Sequence, residues 1–212
     1  MNLKDYYWYF SEAVPSKFCD DLIEFSKTQK EEIGTIDTIK EDKLRTDESL
    51  KNEVFQKRKS NVVWLNEKWI YDMVTPFIHS ANINSGWNYN WDWCETAQFT
   101  IYKEGQHYGW HCDDFPNVYS EEKGENFKGK IRKLSVTLSL NDPSEYEGGE
   151  LEFDPRNYDP DKREERHIMN CKEILKKGSA VVFPSHVWHR VKPVTKGTRY
   201  SLVIWCLGKP FV

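Results

Sequence analysis

Residues 132–140, RKLSVTLSL, alternate apolar and small polar side chains: Leu134, Val136, Leu138 and Leu140 fall on one face of an extended chain, Ser135, Thr137 and Ser139 on the other. A helix cannot present that period of two, so the segment is a strand. Its faces meet different surroundings, one an apolar core and the other solvent or a polar cavity. Such a strand needs neighbours, and the sequence supplies them. AVVFP (180–184) and RYSLVIW (199–205) are short β-branched and aromatic runs, and Glu147-Gly148-Gly149-Glu150 is a tight-turn signal feeding a strand at residues 151–153. WNYNWDWCETAQFTIY (87–102) reads as strand as well, with Gln98, Thr100 and Tyr102 on one face, while HVWHRVKPVTKG (186–197) is turn-prone.

Before residue 86 the periodicity changes. Phe18, Leu22 and Phe25 recur at helical spacing behind Val14-Pro15-Ser16, with Asp20, Asp21 and Glu24 in the early turns, where the helix dipole favours acid. A second helix is expected over residues 67–82, its apolar stripe formed by Trp69, Ile70, Met73, Val74, Phe77 and Ile78, with Pro76 as a kink or boundary. Between them, residues 27–59 are charged, poor in core residues, and read in part as a solvated loop. Helices followed by many short strands indicate an α+β chain whose functional part is a sandwich or barrel. The 212 residues suit one domain, with 1–85 as helical support and 86–212 as the β-rich core.

Thirty Lys+Arg against 34 Asp+Glu leave a net charge of -4, which offers no global basic surface to a phosphate backbone, although a local patch stays open. Nine Trp and 15% aromatic residues exclude a disordered chain. Five cysteines without a CxxC pair argue against a disulfide framework or structural zinc and for a reducing compartment. The segment MNLKDYYWYFSEAVPSKF lacks the charge pattern and apolar stretch of a secretory signal, and no long apolar run follows. The expectation is a soluble, cytoplasmic protein without a membrane partner.

The chemistry-bearing feature is His111-Cys112-Asp113. In an extended segment residues i and i+2 project to one face, so the imidazole and carboxylate can converge on a metal ion. The distal histidine of VWHRVKPVTKGTR, His189, is a candidate third ligand, and two histidines with one carboxylate form the facial triad of non-haem Fe(II) oxygenases. Ten residues on, Arg199 opens a strand, where its planar fork suits the remote carboxylate of a dicarboxylate cosubstrate, and Tyr102 could donate to the same group. Taken singly, each has an ordinary alternative: a loop histidine with a solvated aspartate, or a salt-bridged arginine. Their order along the chain is what carries weight.

QFTIYKEGQHYGWHCDD, KLSVTLSLNDPSEYEGGELEF and KKGSAVVFPSHVWHRVKPVTKGTRYSLVIW together resemble the prolyl-4-hydroxylase-like Fe(II)/2-oxoglutarate dioxygenases, and most closely the PKHD-type hydroxylases of bacteria and phages. The resemblance runs from about residue 97 to 207, half of the chain. It implies a double-stranded β-helix (jelly-roll) core, with His111, Asp113 and His189 as iron ligands and no further catalytic residue beyond them. It places Arg199 and Tyr102 on the distal carboxylate of 2-oxoglutarate. The implied cofactors are Fe(II), 2-oxoglutarate and O2, with ascorbate as a possible reductant, and the implied reaction is hydroxylation of a C–H bond with release of succinate and CO2.

By the same resemblance His186 belongs to the rim or surface; His107, with no carboxylate two residues on, reads as a nearby pocket or loop residue, and in an extended segment Asp114 points to the opposite face from the ligands. Ser139 departs from the pattern, because oxygen-sensing relatives carry a tyrosine there. A serine widens the pocket, and Thr137, on the same strand face, could line it too. A protein or peptide substrate is the default, with Trp110, Trp188 and the 87–93 aromatic cluster available to pack on it or to serve as core. Residues 115–130 form a lid or a surface loop, and the charged insertion 154–171 is solvated or recognises a partner. An AlkB-type nucleic-acid demethylase fits less well, since Trp205 stands where that group has a second arginine, six residues after Arg199. A metal-free jelly-roll binding module is the competitor from another class.

Overall fold

The computed structural model describes residues 3–36, 39, 41–114, 118–156 and 163–211. Its helices are α1 (Ser16–Lys27), α2 (Glu41–Thr46), α3 (Glu48–Lys57) and α4 (Lys68–Asn84). Its strands are β1 (Trp8–Phe10), β2 (Glu32–Ile33), β3 (Arg58–Lys59), β4 (Asn61–Leu65), β5 (Trp93–Cys94), β6 (Ala97–Tyr102), β7 (His107–His111) and β8 (Ile131–Ser139). They continue as β9 (Tyr146–Gly148), β10 (Leu151–Asp154), β11 (Met169–Asn170), β12 (Ala180–Pro184), β13 (Trp188–Val191), β14 (Val194–Gly197) and β15 (Arg199–Gly208).

The long β8 organises the molecule as its alternation requires. It lies between β12 and β15 in a major sheet ordered β1-β12-β8-β15-β6-β4-β2, with β5 also paired to β15. Leu134, Val136, Leu138 and Leu140 enter one apolar core with Phe18, Cys19 and Leu22 of α1 and Ile70, Val74, Ile78 and Ala81 of α4. The two helices therefore cover the outer face of the major sheet. The other face of β8 looks toward a minor sheet ordered β11-β10-β13-β7-β3. Between the sheets, Tyr7, Tyr102, Leu151, Phe153, Phe183 and Val191 form a second core. Ser135, Thr137 and Ser139 on that inner face are buried, so they are not a solvent-facing row.

Both predicted helices are present, and α4 continues through Pro76 rather than stopping there. Three expectations need correction. Residues 27–59, read as poor in core residues and in part a solvated loop, contain α2 and α3, and Ile36, Leu44 and Val54 bury one another in a small core of their own. Asp47 caps α3 by accepting from the Leu50 N–H at 3.0 Å, which turns a charged stretch into a helix start. Within residues 87–102 only β5 and β6 are strand; Trp87, Tyr89 and Trp91 pack on the main core from irregular backbone. The turn-prone 186–197 segment instead contains β13 and β14. The N-terminal part also contributes β1, β2 and β4 to the major sheet and β3 to the minor one, so it is built into the β core as well as supporting it. No helix among the described residues is long and apolar enough to cross a membrane.

Candidate metal centre and active site

β7 and β13 are antiparallel neighbours, and their register sets His111 opposite His189. Two residues past His111 the chain is fixed by the Asp113 N–H, which donates to the Ser185 carbonyl at 2.9 Å. Potential ligand atoms of His111, Asp113 and His189 all lie within 4.8 Å of one another. His111 Nε2 is 3.8 Å from Asp113 Oδ1, and His189 Nε2 is 3.6 Å from Asp113 Oδ2. Each imidazole donates Nδ1–H to a main-chain carbonyl, His111 to Gly109 at 2.8 Å and His189 to Val187 at 3.0 Å. A carbonyl only accepts, so the proton is on Nδ1 and the Nε2 lone pair is left to bind.

Burial, reinforced by His189, pushes His111 down to about 3, which keeps that ring neutral at ordinary pH. Burial alone would raise the Asp113 carboxyl, but His189, His111 and Arg132 outweigh it and hold the carboxyl below its usual value. Asp113 Oδ2 is buried without a hydrogen-bond partner, a costly state unless a cation fills the space between it and the imidazoles. Nitrogen, nitrogen and carboxylate oxygen from one side suit an octahedral Fe(II) that keeps open positions.

The inner face of the major sheet forms a ladder beneath this centre. Along β15, Arg199 lies opposite Tyr102, Ser201 opposite Thr100 and Ser139, Val203 opposite Gln98 and Thr137, and Trp205 opposite Ser135. Arg199 is only 2% exposed, its Nη1 is 3.4 Å from Ser201 Oγ, and its guanidinium carbon is 5.7 Å from the Tyr102 ring centre. Among the described residues it has no carboxylate within ion-pair distance, so a buried cation faces the cavity without a counter-charge. Gly149 makes room for it: a Cβ there would stand 2.9 Å from Arg199 Cδ, and the φ of +67° disfavours any other residue. Burial raises the Tyr102 phenol, which stays a donor. The Ser139 hydroxyl donates to the Ile174 carbonyl at 2.6 Å, so its proton is committed within the fold.

Four neighbours of the triad escaped the sequence reading. Arg58 on β3 is buried, donates to Ser60 Oγ at 2.9 Å, the Thr35 carbonyl at 2.9 Å and Gln98 Oε1 at 3.1 Å, and lies over the Tyr108 ring at 4.6 Å. Tyr108 in turn stacks on His111 with ring centres 3.5 Å apart. Arg132 and Glu95 form a bidentate pair at 2.6 and 2.8 Å, and Arg132 also lies over Trp205 at 4.0 Å and reaches the Asp113 carbonyl at 3.3 Å. No periodicity marks these residues, because the partners are far apart in sequence.

His111 and Asp113 line a cleft of about 990 Å³ together with Trp64, Arg58, Tyr108, Trp110, Trp188 and Trp205. His186 is exposed and outside the triad. His107 sets Nε2 3.2 Å from the Gln56 carbonyl and is also outside it. The described part of the 154–171 insertion is strapped to the minor sheet: Arg163 pairs with Asp154 at 2.5 Å and lies over Trp110 and Trp188 at 4.3 and 5.0 Å. Of the 115–130 loop, residues 115–117 lie outside the described residues. Its remainder is tied back by Tyr119, which exchanges main-chain hydrogen bonds with Gly129 and Lys130 and donates to Glu95 Oε1 at 2.9 Å.

Residues 97–207 match the family described as the 2OG-Fe(II) oxygenase superfamily. A PKHD-type hydroxylase of Psychrobacter sp. (strain PRwf-1) is 37% identical over 107 residues, 50% of this chain and 36% of that protein. One from Xylella fastidiosa (strain 9a5c) is 34% identical over 108 residues, 51% of this chain and 42% of the relative. The matched region thus spans less than half the length of these relatives. Among solved structures, a Pseudomonas putida prolyl-4-hydroxylase superposes with a TM-score of 0.64 at 17% identity, covering 98% of this chain and 96% of that one. The viral collagen prolyl hydroxylase of Paramecium Bursaria Chlorella virus-1, in complex with 2OG, gives 0.62 at 18% identity and 96% of both chains. The fold is the double-stranded β-helix these structures share. Because the matched segment makes up more than half of the chain and contains all of the triad, the protein belongs to the 2OG-Fe(II) oxygenase superfamily, which implies Fe(II), 2-oxoglutarate and O2 as its cofactors.

Proposed function

We propose that the protein is an Fe(II)- and 2-oxoglutarate-dependent dioxygenase that hydroxylates a C–H bond in a peptide, with a prolyl residue as the preferred target, and releases succinate and CO2. The observation that carries this reading is the buried triad itself: two imidazoles with Nδ1 already committed, converging on a carboxylate whose Oδ2 has no hydrogen bond.

In this reading His111, Asp113 and His189 hold the metal. When bound, Fe(II) and 2-oxoglutarate would supply electrons that activate O2, the cosubstrate being oxidised to succinate and CO2. The rest is the chain's own work. Arg199, buried and without a carboxylate of its own, grips the distal carboxylate of the cosubstrate through its planar fork, and Tyr102 donates its phenol proton to the same group. Thr137 and Ser139 wall the pocket; with its proton given to Ile174, Ser139 offers the cosubstrate only an oxygen lone pair. Tyr108 and Phe183 pack against the rings of His111 and His189 and keep water from the ligands.

Peptide is favoured over nucleic acid because the cleft is walled by tryptophans and two of its cations are paired with carboxylates, Arg132 with Glu95 and Lys30 with Glu32. The names of the structural neighbours, prolyl and collagen prolyl hydroxylases, point the same way. The test is succinate release by the purified protein with Fe(II), 2-oxoglutarate and ascorbate, comparing proline-containing peptides with methylated oligonucleotides. Stimulation by peptide, with one oxygen atom gained in the peptide mass, is expected. Stimulation by oligonucleotides alone would overturn the assignment.

A further inference from the structure

We infer that Trp64 is a specificity-determining residue, the platform on which a side chain or proline ring flanking the hydroxylated position of the peptide rests. This deepens the peptide-hydroxylation reading above and rests on it.

Strand β4 divides its side chains by alternation. Val63 and Leu65 enter the main core, whereas Trp64 projects to the cavity face, opposite Gln98 in register. There the indole stays 46% exposed, an unusual state for so large an apolar surface that already sits inside a cleft. The same cleft is lined by His111 and Asp113 of the triad and by Trp205.

Trp64 does not touch the ligands. The route to them runs from Gln98 to Arg58, which hydrogen-bonds it at 3.1 Å, then to Tyr108 under the guanidinium and to His111 stacked on Tyr108. A substrate atom at the metal is therefore several groups away from the indole, and an extended chain reaching both presents a neighbouring residue to Trp64. A rigid indole gives a large contact area at small entropic cost, and its face accepts the polarised C–H groups of a proline ring.

Charge selects the occupant. Among the described residues of this cleft Lys30 is paired with Glu32 at 2.7 Å, and Glu41 and Asp42 add two more carboxylates, which oppose the approach of a phosphate backbone to Trp64. An uncharged apolar peptide meets no such penalty. Trp64 also lies outside residues 97–207, so the platform comes from a different part of the chain than the family's chemistry.

The test uses the full chain with Fe(II) and 2-oxoglutarate, and a peptide of alternating proline and alanine as the probe. Trp64→Ala is expected to raise the peptide KM about tenfold with kcat at saturating peptide within about twofold, and Trp64→Phe to fall between it and wild type. Affinity for 2-oxoglutarate, read by calorimetry, should shift less than about twofold, because Arg199 and Tyr102 lie deeper on the sheet. An unchanged peptide KM in Trp64→Ala overturns the inference while leaving the hydroxylase reading intact. If wild type releases succinate with methylated oligonucleotides and never with the peptide, the hydroxylase reading fails and the inference fails with it. Should Trp64→Ala not fold, a peptide KM for Trp64→Phe equal to that of wild type is the overturning result.

Discussion

His111 and His189 stand opposite one another on β7 and β13 with ring centres 4.2 Å apart, and each sends its Nδ1–H to the carbonyl two residues before it. The main chain thus fixes both tautomers and both ring planes before any metal arrives. Pre-set ligands of this kind lose little entropy on binding and discriminate by geometry.

Replacing either ring removes one nitrogen from a three-residue set. His111→Ala or His189→Ala should weaken Co(II) binding, followed by calorimetry or visible absorption, by at least the roughly 10–100-fold that loss of an outer-shell partner costs. Unchanged affinity in either variant would contradict the assignment of the triad.

Arg199 is a buried cation whose nearest polar contact is a serine hydroxyl at 3.4 Å. Arg199→Ala should raise the KM for 2-oxoglutarate about 10–100-fold, as expected from about 1.5–3 kcal/mol for a hydrogen bond to a charged group, and leave Co(II) affinity unchanged. Arg199→Met, which also removes an uncompensated charge from the interior, should melt no lower than wild type in the absence of 2-oxoglutarate.

Glu95 and Arg132 are each 13% exposed at the side chain and hold one another in two short bonds. Glu95→Gln leaves a guanidinium buried without its counter-charge and should cost about 3–5 kcal/mol in urea unfolding. The double variant Glu95→Gln with Arg132→Met should recover most of that loss, since no stranded charge remains.

Tyr71 on α4 donates to the Glu95 carbonyl at 3.0 Å and accepts from the Ala97 N–H at 3.0 Å, tying α4 to the start of β6. Burial is the main cause that pushes its phenol up from 10.0 to about 12. Between those values the unfolded chain loses a proton that the folded chain keeps, so stability is fully present below pH 10 and falls as pH rises toward 12. Denaturant midpoints measured across this window should decline, and Tyr71→Phe should decline less steeply.

What was legible in the sequence was local and periodic. The two faces of β8 and the i and i+2 spacing of His111 and Asp113 follow from extended-chain geometry, and the fold contains both the buried faces and the converging side chains. The α2–α3 region was not legible, because Ile36, Leu44 and Val54 are single apolar residues scattered among charges and become a core only when the chain folds back. Arg58 read as one more cation in that stretch, and its burial under Gln98 and Tyr108 depends on contacts made across the sheets. The Arg132–Glu95 pair likewise joins residues 37 positions apart, with no motif to announce it. The alternation of β8 left the Ser139 face open between cavity and solvent; its burial and its bond to Ile174 arise from tertiary packing.

The most direct measurement is the fate of isotopically labelled O2 in a turnover with Fe(II), 2-oxoglutarate and a proline-containing peptide. Hydroxylation coupled to oxidative decarboxylation places one labelled oxygen atom in the peptide hydroxyl and the other in succinate, with unlabelled CO2 leaving from the cosubstrate. Label in both products, abolished by Asp113→Ala, is the expected result. A hydroxylated peptide formed without 2-oxoglutarate, or succinate that carries label while the peptide never does, would contradict the assignment.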